Sequence, residues 1–90
     1  MKIVVNRCFG GFSLSKSCAE KLGVDIYPDD SIRVDNHLIK MVEDSAIDAS
    51  GSHAKLVVVE IPDRATDWKI FEYDGAETII AVVDGKINEF

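Results

Sequence analysis

Ninety residues, 47% of them apolar, supply one packed core and little more, because so short a chain buries only roughly 60–65% of its unfolded surface. The reading is a single domain over 1–90. The formal charge of −6 repels phosphate backbones and argues against direct nucleic-acid binding. No apolar run approaches the ~20 residues of a membrane helix. No basic region followed by an apolar core opens the chain, which predicts a cytoplasmic protein with no secretory leader and no membrane contact.

Ile3, Val4 and Val5 are β-branched and stop at glycines, the mark of a short buried strand. Gly10 and Gly11 follow as a structural hinge, since glycine alone enters positive φ without strain. Ser15 to Leu22 reads as a helix capped by Ser15, with Gly23 as its left-handed stop. Pro28-Asp29-Asp30-Ser31 carries turn residues, and short edge strands are expected beside it, at 25–27 and 32–34. A single helix is expected from Asn36 to Gly51, capped by Asp35 or Asn36. Its apolar stripe is Leu38, Val42, Ala46 and Ala49. Lys40, Glu43, Asp44 and Asp48 fall off that stripe, with Asp44 and Asp48 repelling at i, i+4.

The remainder reads as strands. Leu56 to Val59 is a four-residue apolar run that predicts a central strand buried on both sides, ended by Pro62. Trp68–Tyr73 and Ala76–Val83 flank Asp74-Gly75, a strong two-residue hairpin signal, and Asp84-Gly85 offers a second turn before Lys86–Phe90. Helices early and strands late predict an α+β fold: one two-layer domain, an antiparallel sheet of three to five strands, and two helices on one face.

Met1 to Ser15, Val58-Val-Glu-Ile-Pro-Asp63 and Trp68-Lys-Ile-Phe-Glu-Tyr-Asp-Gly75 resemble a family of small proteins of Gram-positive bacteria and their phages, often carried on mobile elements. The resemblance covers most of the chain. It implies no established activity and no catalytic residues to carry over. The chain departs from the family after Gly75, where Val82 to Phe90 adds a turn and a strand in place of a basic aromatic end.

No cofactor is expected. A strand, two glycines and a helix start could bind an anion, but neither nucleotide-binding glycine pattern is present. The spacing of Cys8, Cys18, His37 and His53 matches no usual zinc pair, and Asp29-Asp30 lacks the alternation of a calcium loop. Both cysteines read as free thiols. Cys8 follows Arg7, whose charge favours a thiolate, and His37 or His53 would be its base. A small packed thiol is the plainer reading.

The absence of a convergent His/Cys/Asp motif decides between the classes of function, and charge, where it serves more than solubility, indicates the partner. Residues 1–23 carry four cations against Glu20, a net +3; the remaining chain carries six against fifteen acids, a net −9. The expectation is a binding protein rather than an enzyme. It would occupy a basic surface on a host macromolecule, as inhibitor or modulator; imitation of a phosphate backbone, in the manner of anti-CRISPR proteins, is one form this could take. Its candidate contacts are Asp29, Asp30, Glu43, Asp44 and Asp48. The alternatives are a cysteine-dependent enzyme or redox protein using Cys8, and a structural phage protein.

Overall fold

Lys2–Asn6 (β1) is the strand on which the fold is built, and four of its five residues are fully buried. In the computed structural model, which describes residues 1–90, β1 pairs antiparallel with Leu56–Glu60 (β2), from Lys2 opposite Glu60 to Asn6 opposite Leu56. Successive side chains of a strand leave on opposite faces. Val4 therefore enters a core with Leu14, Cys18, Leu38, Val42 and Leu56, while Ile3 and Val5 enter a second core with Ile61, Ile79 and Ala81. The first core lies under the helices and the second under a three-stranded meander. The β1–β2 ribbon is the layer between them.

The α+β class with antiparallel strands is the one the sequence predicts. Its strands, however, are divided between a two-stranded and a three-stranded sheet, and the ribbon makes three layers where two were expected. The place expected for β2 belongs to β1: most of β2 is only half-buried.

Lys16–Leu22 (α1) begins as expected. Ser15 is extended and its side chain accepts the Cys18 amide, while Gly23 closes the helix at φ +70°. The two edge strands expected around Pro28 are absent. Asp29 accepts the Ser31 amide and starts a 3₁₀ helix, Asp30–Val34, because an aspartate cap one residue after proline offers the next amides a helical partner. The expected long helix is also two. Asn36–Asp44 (α2) is capped by Asp35, and Ala46–Ala49 (α3) is capped by Ser45. Ser45 is extended at φ −160°. Its hydroxyl caps the following turn instead of continuing the preceding one. Ser15 consolidates the break, donating its hydroxyl to Asp48 O at 2.6 Å and its amide to Ala49 O at 2.8 Å.

Asp67–Tyr73 (β3), Ala76–Val83 (β4) and Lys86–Glu89 (β5) form the meander in the order β3-β4-β5. Both turns have two residues at positive φ: Asp74 at 54° and Gly75 at 92°, Asp84 at 53° and Gly85 at 76°. Such turns match the right-handed twist of the paired strands. Burial alternates along β4, with Glu77, Ile79, Ala81 and Val83 inward.

The two turn glycines differ in their surroundings. A Cβ on Gly85 would meet nothing, whereas one on Gly75 would stand 2.8 Å from the Phe9 carbonyl oxygen and against the Gly11 amide. Gly85→Ala should cost about 1–2 kcal/mol, the left-handed penalty alone. Gly75→Ala should cost at least ~1 kcal/mol more, because backbone must also move. Equal losses in denaturant midpoint would show that the turn does not abut the Phe9 loop.

Candidate functional site

The polar chemistry of the chain collects where β1 ends. Asn6 is fully buried, and a buried amide needs partners for each of its groups. Its Nδ2 donates to Cys8 O at 2.6 Å and Gly75 O at 2.8 Å, and its Oδ1 accepts the amides of Lys55 at 2.8 Å and Cys8 at 3.3 Å. One side chain thus ties together the loop after β1, the loop before β2 and the β3–β4 turn. The expected hinge lies in the first of these. Gly11 adopts φ +90°, and Gly10 sits so close to His53 that an added Cβ would overlap the His53 carbonyl oxygen.

Beside Asn6 lies a buried ion pair. Arg33, on the 3₁₀ helix, meets Glu77, on β4, through two parallel bonds: Nη1 to Oε1 at 2.5 Å and Nη2 to Oε2 at 2.7 Å. Both side chains are over nine-tenths buried. The geometry is the bidentate fork that suits guanidinium and carboxylate. Arg33 also stacks on Phe12, 3.8 Å from the ring centre, and its Nε has no partner. The pair reaches β1 as well: Arg33 Nη1 donates to Val4 O at 3.3 Å, and Glu77 Oε1 accepts the Asn6 amide at 2.7 Å.

Those two backbone groups lie on the edge of β1 that faces away from β2. Bonds from Ile61 to Met1 and from Arg7 to Lys55 give the odd-numbered residues of β1 to β2, leaving Val4 and Asn6 to the other side. The ion pair occupies the position that one residue of a parallel neighbour would fill. It closes that part of the β1 edge to a further strand.

The five acids expected to contact a partner are placed apart. Asp29 caps the 3₁₀ helix, and the Ser31 amide holds its carboxyl below the usual range. Asp30 lies 3.5 Å from Arg33. Glu43 pairs with Lys2 at 2.7 Å, which raises the Lys2 ammonium from its ordinary value. Asp44 lies 3.6 Å from Lys40. Asp48 has no cation within bonding distance, and with Asp44, Lys21, Met41 and Cys18 it lines a shallow cavity of about 200 Å³. Asp44 and Asp48 belong to different helices, so the expected i, i+4 repulsion within one helix does not arise.

Cys8 is half-exposed and Cys18 buried, and both are free. His37 is exposed and lies 3.6 Å from Asp35; His53 meets the glycine loop through its backbone. Neither histidine hydrogen bonds to Cys8. No helix is long and apolar enough to cross a membrane.

In comparisons with known proteins, no family model, curated protein or solved structure matches the chain. The site is therefore read from its own geometry. Its central residues, Asn6, Arg33 and Glu77, are not among those singled out from the sequence. One signal for Glu77 was present: it is the only charge on the inward period-two positions of a strand otherwise carrying Ile79, Ala81 and Val83 there.

Two outcomes follow from these contacts. Arg33→Met should destabilise by about 3–5 kcal/mol because it strands a buried carboxylate, and Arg33→Met with Glu77→Leu should recover part of that loss. A double variant no more stable than Arg33→Met would contradict a buried, coupled pair. Burial pushes the Cys18 thiol above its ordinary value of 9.0. Its contribution to stability should be whole below that pH and decline above it, as the unfolded thiol ionises first. Cys18→Ala should remove this component of the alkaline decline in a urea titration series; an unchanged pH profile would contradict it.

Proposed function

We propose that the chain acts by stoichiometric association with another macromolecule that presents a basic surface, as an inhibitor or modulator and without turnover. The observation that carries this reading is the state of its acids. Fourteen of the sixteen carboxylate side chains are exposed, and nine have no cationic partner within 4.0 Å. A surface so charged steers a cationic partner towards it and holds little of its negative field in internal pairs. The buried polar side chains, by contrast, are engaged in holding the layers together. Imitation of a phosphate backbone is one form such binding takes.

Association of this kind is sensitive to salt, because at 0.15 M the screening length is already about 8 Å and shortens as salt rises. Reversing Asp44 and Asp48 to lysine should slow association with the partner several-fold and leave the thermal midpoint nearly unchanged, since both side chains are exposed. The measurement is association kinetics with the captured partner at 0.05 and 0.3 M salt. Binding indifferent to salt, or a contact surface on the partner that is acidic, would overturn the reading.

A further inference from the structure

We infer that the free edge of β3 is a docking site for an extended, basic segment of a partner protein, which adds to the meander as a fourth strand. The inference rests on the proposal that the partner is basic, and it names the element that partner would meet.

The edge follows from the turn. In a two-residue hairpin the residues flanking the turn form a hydrogen-bonded pair. Tyr73 and Ala76 are that pair, so Phe71, Lys69 and Asp67 also bond towards β4. The N–H and C=O groups of Trp68, Ile70 and Glu72 point the other way. β4 is the only element beside β3, and none of these six groups has a partner elsewhere in the fold. They are spaced as a template for another strand.

The other edges offer less. That of β1 is capped by Arg33 and Glu77. On β2, Leu56 N–H donates to Ser50 Oγ, which leaves two outward residues, Val58 and Glu60, before Ile61 and Pro62 end the strand. β5 has four residues and offers two, Ile87 and Glu89, along its open side. Only β3 presents three consecutive outward residues with no side chain, helix or proline against them.

Charge selects the occupant. Asp67, Glu72 and Asp74 stand along this edge without cationic partners, against the single cation Lys69. A second copy, paired antiparallel about Ile70, would set Asp67 against Tyr73 and Glu72 against Trp68, leaving all the acids unneutralised between two chains of charge −6. A segment with lysines or arginines opposite Asp67 and Glu72 supplies the missing charge. Phe71 and Tyr73, 55% and 80% exposed, would receive its β-branched or aromatic side chains across the new pair.

The probe is an end-blocked decapeptide of alternating lysine and valine, with the glutamate–valine peptide as control. Amide hydrogen exchange is followed residue by residue at 0.05 M salt. In the free protein the amides of Trp68, Ile70 and Glu72 should exchange fast and those of Lys69 and Phe71 slowly. The lysine peptide should slow all three fast amides at least ten-fold, and the glutamate peptide should not. Glu72→Pro removes one edge donor and leaves the backbone ladder to β4 in place, while also losing the side-chain oxygen that accepts the Gly75 amide at 2.6 Å; it should weaken binding at least ten-fold while far-ultraviolet dichroism stays native. Glu72→Ala, which loses the same side-chain bond and keeps the edge donor, should weaken it less.

Protection confined to α2, around Asp44, would overturn the edge and leave the basic-partner proposal standing. No response to the lysine peptide at any residue, or equal response to both peptides, would overturn both. Protection of the three amides that grows with protein concentration alone would assign the edge to a second copy and overturn the inference.

Discussion

The fold depends on one buried ion pair that does the work of a strand. Arg33 and Glu77 come from different layers, the 3₁₀ helix and the meander, and they meet at the open edge of β1 between those layers. Burying two charges is costly, and their mutual attraction offsets that cost only if the remaining donors and acceptors are also satisfied. Most are: the carboxylate takes both guanidinium nitrogens and the Asn6 amide, and the guanidinium adds Val4 O and the face of Phe12. The arrangement specifies geometry as much as stability. A parallel strand laid against β1 would meet a side already occupied, so the ribbon stays two-stranded and the meander packs across its face.

Asn6 extends the same constraint to the loops. It binds backbone groups of three segments that lie up to 69 positions from it in sequence, and two glycines let those segments come together. Gly75 approaches the Phe9 loop and Gly10 approaches His53 with no space for a side chain. The opening stretch of the sequence is thus a strand whose last residue is a junction. Buried polar groups thus fix the layers, while fourteen carboxylates and the longest open strand edge, that of β3, face outward.

Elements governed by local chemistry were legible in the sequence. The Ser15 and Gly23 caps, the Asp74-Gly75 and Asp84-Gly85 turns, and the strands they join are dictated within a few residues. What was not legible depends on contacts distant in sequence. The apolar run of β2 looks central, yet β1 holds the doubly buried place, because Arg33 and Glu77 are 44 positions apart and only folding brings them to its edge. The break at Ser45 likewise requires Ser15, 33 positions from Asp48, to take carbonyls of the short helix. The strands expected around Pro28 gave way to a 3₁₀ helix, which is what places Arg33 in the interior. Of the acids singled out, Asp48 alone lacks both an ion-pair partner and a capping role, and a charge count cannot distinguish it from its neighbours.

Native-state hydrogen exchange at the Asn6 amide tests the central claim most directly. This backbone amide joins no strand ladder and donates only to the Glu77 carboxylate. If the ion pair couples the three layers, it should exchange solely through global unfolding, with the same opening free energy and denaturant dependence as Val42 in α2 and Ile80, which pairs with Lys69, in β4. Exchange of Asn6 through a smaller local opening, with the meander detaching while α2 stays protected, would contradict the account.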